Sequence, residues 1–213
     1  ADIGIRPFGV ASDAPEAPPK DRAVEALRLK VFNQQIRGTK AFWNLPIIHA
    51  LGCAGMGIVL IYVIPLAVEQ GLSTTEAAFT ITIISLVSIV SRLGAPVVAE
   101  AWGPRKVMAA SLSIQALTVF ILFWAHDPWM FYLFAAAFGL GFGAEWTGYL
   151  EINRRYFGDG PMGSVYGWQM TGAFAGHAVT TFLAGLVIYV TGSFYPVFVL
   201  SAVFSAAGLL VIA

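Results

Sequence analysis

Two charged residues, Arg92 and Glu145, lie within apolar runs that are long enough to cross a bilayer. In a lipid-facing helix each charge would cost about 2.5 to 3.5 kcal/mol, so both side chains are expected to face protein or a water-filled cavity. The planar guanidinium of Arg92 can donate two parallel hydrogen bonds to a carboxylate, which suits an organic anion. A charge in this position is a candidate functional residue.

The two charges are predicted to lie at similar depth. Arg92 is about 10 Å and Glu145 about 8 Å from the cytoplasmic end of its run, at 1.5 Å per helical residue. Two interpretations stay open. In one, Arg92 binds an anion, whose arrival and departure gate proton binding at Glu145. In the other, the two residues form a structural charge pair.

The elements that must position these residues are membrane helices. The chain is 58% hydrophobic and 11% charged, and a soluble domain would carry about twice that charged fraction. We therefore predict an all-α membrane protein with six transmembrane helices. The predicted spans are 45–68, 77–99, 107–125, 128–150, 163–189 and 195–213.

The basic residues predict the orientation of these spans. Of the twelve Lys and Arg residues, seven precede the first span. Arg105 and Lys106 separate spans two and three, and Arg154 and Arg155 separate spans four and five. Because short basic loops stay cytoplasmic, the N-terminal segment and these two turns are expected in the cytoplasm. The expected location is the cell membrane, of the bacterial inner-membrane type.

The first 43 residues form a separate predicted segment. Residues 1–20 contain four prolines, typical of an irregular linker, whereas Val24, Leu27 and Val31 recur at helical spacing among charges. We expect a short amphipathic helix at the cytoplasmic surface, followed by a membrane domain over residues 44–213. The chain begins without Met and stops inside an apolar run, so we expect a piece of a longer protein.

Glycines and polar residues recur along the spans. Glycine clusters in spans one, four and five predict close helix packing. Clusters in spans one and four, with Arg92 late in span two and His177 late in span five, suggest two units of three helices inserted in opposite senses. Gln169 and His177 either line a cavity or hydrogen-bond a neighbouring helix, and His49 is expected to snorkel to the cytoplasmic interface.

The sequence lacks the residues that several other classes of protein need. The sequence has no nucleophile elbow, no HExxH pair and no Walker loop, so we do not expect an enzyme. The single cysteine, Cys53, offers neither a disulfide framework nor a thiolate metal cluster, and no cofactor is predicted. The formal net charge is zero, which gives no reason to expect a nucleic-acid partner.

The stretch RLGAPVVAEAWGPRK, residues 92–106, resembles the loop motif of the major facilitator superfamily. Glu100 takes the acid position, Gly103 the second glycine, and Arg105 and Lys106 the basic positions, while Pro96 replaces the first glycine. An acid and bases at this turn would form a cytoplasmic latch whose pairing differs between inward- and outward-open states.

Three further segments resemble the branch that contains monocarboxylate and oxalate/formate transporters. They are GFGAEWTGYLEINRRYFG at 141–158, VYGWQMTGAFAG at 165–176, and IGIRPFG at 4–10, the last resembling the loop between two six-helix halves. The resemblance implies the C-terminal half of a twelve-helix transporter, a 3+3 inverted repeat, with the N-terminal half absent from this sequence.

The resemblance also implies residue roles. In monocarboxylate transporters an arginine eight residues before the acid of the loop motif binds the substrate carboxylate, and Arg92 reproduces that spacing to Glu100. Ser88 stands where the branch has a coupling aspartate, and Ala173 where oxalate/formate antiporters carry a lysine. A single cation favours a monoanion over oxalate.

We therefore expect a secondary transporter of a small organic anion, coupled to protons, with Arg92, Gln169 and His177 as substrate-binding candidates. Its expected partners are the anion, protons, the lipid bilayer and the N-terminal half. One alternative is a facilitator for a neutral or amphiphilic compound, with Arg92 and Glu145 as a structural pair. A second is a six-span partner subunit that does not transport.

Overall fold

The computed structural model describes residues 21–158 and 160–212. This part of the chain is helical throughout and contains no strand. The segment at 4–10 that resembles an inter-half loop lies outside the described residues. The helices are α1 (Arg22–Ile36), α2 (Lys40–Glu69), α3 (Thr74–Trp102), α4 (Pro104–Thr118), a 3₁₀ turn (Val119–Phe123), α5 (Pro128–Phe157), α6 (Met162–Thr191) and α7 (Tyr195–Ile212).

Each of the six predicted spans falls on one of these helices, with α4 and the 3₁₀ turn together covering the third. Among the described residues, five helices are long and apolar enough to cross a membrane: α2, α3, α4 with the 3₁₀ turn, α6 and α7. Helix α5 has 30 residues but is not in this group. Glu145 and several glycines interrupt its apolar sequence. The chain is a multi-pass membrane protein, and the sixth span stays a prediction.

The helices pack in a regular order. Helix α5 lies against α3 and α4, α2 lies against α6 and α7, and α4 contacts α7. Helix α2 is enclosed by its neighbours, whereas α3 and α6 are exposed along most of their length. A face of α3 and a face of α6 therefore remain open.

Two interfaces are brought close by glycines spaced four residues apart. Gly139 and Gly143 of α5 lie against the backbone carbonyls of Ile84 and Ser88 on α3. Gly172 and Gly176 of α6 lie against the carbonyls of Pro46 and Ala50 on α2. A side chain at any of the four glycines would meet backbone atoms, so the predicted packing role is confirmed at these positions.

The turns opposite the basic loops are tied together by one side chain. Gln70 lies at the end of α2, and its Oε1 is 2.8 Å from Nδ1 of His126. Its Nε2 donates a hydrogen bond to the hydroxyl of Tyr195 at 3.2 Å. These contacts join the ends of α2 and α7 to the turn before α5. They hold the three turns at this end of the bundle in register.

Candidate functional site

Arg92 lies on the open face of α3, and its side chain is exposed. Its guanidinium carbon is 5.5 Å from the ring centre of Phe142 and 5.7 Å from that of Trp146, both on α5. These cation–π contacts orient the guanidinium, and within the described residues its N–H groups have no hydrogen-bond partner. Pro96, four residues later in α3, has no N–H to donate to the Arg92 carbonyl. The arrangement offers a positioned fork of donors to an anion.

Glu145 occupies the opposite kind of environment. Its side chain is buried, accepting a hydrogen bond from Nε2 of Gln115 at 2.5 Å and another from the Tyr149 hydroxyl at 2.7 Å. Any side chain at Gly52 of α2 would occupy the space of this carboxylate. Glu145 therefore joins α5 to α4 and packs directly on α2.

Arg92 and Glu145 do not form the alternative charge pair in this structure. The salt bridges among the described residues are Arg28–Glu25 and Arg154–Glu151. The predicted similar depth would allow a pair, but depth does not fix the direction of a side chain. Glu145 points into the bundle toward α2 and α4, whereas Arg92 stays on the exposed face and contacts rings.

His49 is buried, and the expectation that it snorkels to the interface was wrong. Its ring stacks on that of Tyr149, with ring centres 3.7 Å apart. It also meets the Trp146 ring edge-on, with ring centres 5.8 Å apart. Only 1% of the residue is exposed, and neither ring nitrogen has a hydrogen-bond partner in the described part of the chain. A neutral imidazole has one donor and one acceptor, and leaving a buried polar group unpaired costs about 1 to 3 kcal/mol. The two rings of α5 hold it on α2.

Gln169 takes part in an interhelical hydrogen bond, as one of its two interpretations predicted. Its amide and that of Asn153 are reciprocally bonded, at 2.9 Å from Asn153 Nδ2 and 2.6 Å from Gln169 Nε2. Both residues are fully buried. This pair links α5 to α6 and satisfies the Gln169 amide within the bundle, so its role in binding substrate stays a prediction.

His177 lies at the interface of α2 and α6, partly buried, beside Gly57. A methyl group at Gly57 would be 2.7 Å from Nδ1 of His177. The glycine therefore makes room for the imidazole ring. The role of His177 in binding substrate stays a prediction.

The residues of the loop motif surround a sharp turn. Glu100 is exposed in the last turn of α3, and Gly103 has a φ of 88° that connects α3 to α4. Glycine adopts this backbone conformation without steric cost. Arg105 donates from Nη2 to the Ile212 carbonyl of α7 at 2.8 Å, and Lys106 is exposed. The changing latch between acid and bases stays a prediction.

Ser88 and Ala173, the two positions that differ from the transporter branch named in the sequence comparison above, are closely packed. Ser88 is buried, donates to the Ser85 carbonyl at 2.8 Å and lies against Gly143. Ala173 belongs to the buried core of the bundle. Neither position is an open site into which a larger charged side chain would extend.

Sequence reasoning missed the residues that surround the two charges. Phe142 and Trp146, which contact Arg92, are four residues apart on α5, as are Glu145 and Tyr149. This spacing places each pair on one side of a helix and was the available signal. Gln115 and Asn153 gave no comparable signal, because their partners lie on α5 and α6 respectively.

Comparison with known families identifies the chain. The sequence model of the Major Facilitator Superfamily matches residues 47–213. The chain belongs to this superfamily of membrane transporters. A comparison with curated proteins gave no match.

Proposed function

We propose that this member of the Major Facilitator Superfamily is the C-terminal half of a twelve-helix transporter that moves a small organic anion together with a proton. The anion is of the monocarboxylate class and is bound by Arg92. Movement is by alternating access, in which the binding site opens to one side of the membrane at a time.

The observation that carries this proposal is the environment of Arg92. Its guanidinium is exposed and contacts two aromatic rings, and no carboxylate pairs with it within the described residues. Exposure to lipid at this depth would cost about 2.5 to 3.5 kcal/mol, which favours a face covered by water, protein or substrate. A carboxylate that accepts two hydrogen bonds would complete the guanidinium.

Helix packing supports the proposal of a half-transporter with a 3+3 inverted repeat. The contact of α3 with α5 corresponds to that of α6 with α2 when the first three membrane helices are exchanged with the last three. Under the same exchange, the contact of α2 with α7 corresponds to that of α5 with α4. The open faces of α3 and α6 offer a surface for a second half.

The single cation supports a monoanion. Arg92 is the one Lys or Arg inside the predicted spans, and the position of a possible second cation is the buried Ala173. Proton coupling is supported by two titratable side chains that are buried in the bundle, Glu145 and His49. The alternative of a neutral substrate rests on an Arg92–Glu145 pair, and no such salt bridge occurs among the described residues.

Transport by the complete protein in proteoliposomes tests the proposal. Uptake of labelled lactate, pyruvate and formate is measured with and without an inward proton gradient, for the wild type and for Arg92→Gln. Arg22→Gln, which removes an exposed arginine of α1, is the matched control.

We expect gradient-stimulated uptake in the wild type and the control, and its loss in Arg92→Gln. No uptake by a well-folded wild type would contradict the proposed substrate class. Equal uptake by the wild type and Arg92→Gln would contradict the proposed binding residue.

A further inference from the structure

We propose that His49 binds the coupled proton and that the anion at Arg92 controls this binding across Trp146. The inference rests on the proposed function and assigns a residue to its proton step. Glu145 then serves mainly to hold α5 against α4 and α2.

The first reason is that the His49 ring nitrogens have no hydrogen-bond partners within the described residues. It is buried between α2 and α5, yet both ring nitrogens are unpaired within the described residues. Glu145, in contrast, already accepts hydrogen bonds from Gln115 and Tyr149. An imidazole with a free nitrogen can accept a proton without breaking an existing contact, whereas both carboxylate oxygens of Glu145 already have a hydrogen-bond donor.

The second reason is that one aromatic side chain contacts both Arg92 and His49. The Trp146 ring lies 5.7 Å from the Arg92 guanidinium carbon and 5.8 Å from the centre of the His49 ring. The two cationic centres are therefore within about 12 Å of each other. At an effective dielectric constant of about 20, a unit charge at that distance changes the proton affinity of another group about tenfold.

The sign of this interaction couples the two ligands in the direction of symport. The positive charge of an empty Arg92 disfavours a second positive charge on His49. A bound carboxylate neutralises Arg92, so a proton joins the His49 nitrogen to form imidazolium after the anion arrives. By reciprocity, protonated His49 raises the affinity for the anion by the same factor.

None of the other described polar or titratable groups around His49 carries a positive charge that a bound anion would neutralise. Helix α5 presents Tyr149, which stacks on the ring, and Glu145, which accepts from that tyrosine; α3 presents Arg92 beyond Trp146. Helix α4 contributes the uncharged Gln115, α6 meets this part of α2 through glycines, and α7 presents serines beside Gly55. Cys53 is on the same helix as His49. Arg92 is thus the charge in these surroundings that a substrate would neutralise.

The test is the pH dependence of anion binding to the complete purified protein. Dissociation constants for lactate, pyruvate and formate are measured by calorimetry from pH 5 to pH 8, in buffers of different ionisation enthalpy to count protons taken up. His49→Phe retains a ring for Tyr149 and Trp146 but has no nitrogen. Glu145→Gln is the matched variant at the competing site.

We expect wild type and Glu145→Gln to bind the anion about tenfold more weakly at pH 8 than at pH 5, with proton uptake on binding. In His49→Phe the change should be less than twofold, without proton uptake. Retained pH dependence in His49→Phe, or its loss in Glu145→Gln, would overturn the inference. If His49→Phe does not fold, His49→Gln replaces it, with the same expectations.

The inference and the proposed function fail differently. A folded wild type that binds none of the three anions at any pH contradicts the proposed function, and the inference with it. Binding by the wild type with unchanged pH dependence in His49→Phe contradicts the inference alone.

Discussion

Arg92 and Glu145 are intramembrane charges on two helices that pack together, α3 and α5, but their surroundings are opposite. Arg92 is exposed and touches only aromatic faces among its described contacts, so its hydrogen-bond donors remain available. Glu145 is buried and accepts a hydrogen bond at each carboxylate oxygen. The difference indicates that a charge in a membrane helix suggests function most strongly when its polar atoms are left without protein partners.

The interface between the two helices accounts for part of this difference. Gly139 and Gly143 bring α5 against the α3 carbonyls, and Ser91 donates to the Leu140 carbonyl at 2.6 Å. At this close distance there is no room for a long side chain between the helices. Arg92 therefore lies along the outer edge of the contact, where Phe142 and Trp146 are.

The largest effect on transport is expected from substitution of Arg92, the exposed charge. Arg92→Gln should reduce anion transport by about 30-fold or more, corresponding to about 2 kcal/mol for loss of one partner of a hydrogen-bonded charge pair. Arg92→Lys keeps the charge but not the planar fork, so we expect an intermediate loss. Initial rates of labelled lactate uptake measure both, with thermal unfolding in detergent as the folding control. Equal activity of the two variants would contradict bidentate binding.

Changing the buried charge should affect stability more than transport. Glu145→Ala leaves the Tyr149 hydroxyl and a Gln115 N–H without their acceptor, at about 1 to 3 kcal/mol for each buried group. Glu145→Gln should be milder, because its oxygen can accept from Tyr149 and the Gln115 amide can rotate toward its nitrogen. The thermal midpoints of the two variants test this order. A Glu145→Ala protein as stable as the wild type would contradict a structural role.

Two glycine-to-alanine substitutions compare the stability cost of a new methyl group on the packed side of α3 and on its open side. At Gly143 the new methyl group would collide with the Ser88 carbonyl, and we expect a loss of about 1 to 3 kcal/mol. At Gly94, two residues after Arg92, no atom of the described residues beyond its chain neighbours and its own helix backbone lies within 4 Å of the added carbon. There, alanine should be neutral or stabilising by up to about 1 kcal/mol. Thermal unfolding of both variants measures this difference in stability. An equal loss of stability in the two variants would show that Gly94 is also packed.

The smallest loss of stability is expected at the Asn153–Gln169 amide pair. Asn153→Leu leaves the buried Gln169 unpaired and should destabilise by about 0.6 to 1.7 kcal/mol. Adding Gln169→Leu should recover part of that loss, because replacing both partners removes the unpaired group. If Gln169 also binds substrate, the double variant would recover stability but not transport. Unfolding and uptake measured on the same preparations distinguish the two roles.

The positions of the helices could be predicted from the sequence, but the directions of their side chains could not. The apolar runs indicated the position of all six helices, although α2 begins five residues before its predicted span and α5 ends seven residues after its own. The glycine spacing indicated close packing at Gly139 and Gly143. The rotation of α5 about its axis decides whether Glu145 meets Arg92 or Gln115, and that rotation follows from packing against three helices together. The burial of His49 was missed for the same reason, because it depends on Trp146 and Tyr149 of another helix.

A double-mutant cycle on Arg92 and Glu145 determines whether the exposed arginine and the buried glutamate act independently. Labelled lactate exchange and thermal unfolding are measured for the complete protein, for Arg92→Gln, for Glu145→Gln and for the double variant. We predict that Arg92→Gln loses exchange at unchanged stability, that Glu145→Gln retains exchange, and that the two effects add to within about 0.5 kcal/mol. If the double variant instead recovers the function or stability lost in the single variants, the two residues act as a pair, and their separate roles in binding and in packing are wrong.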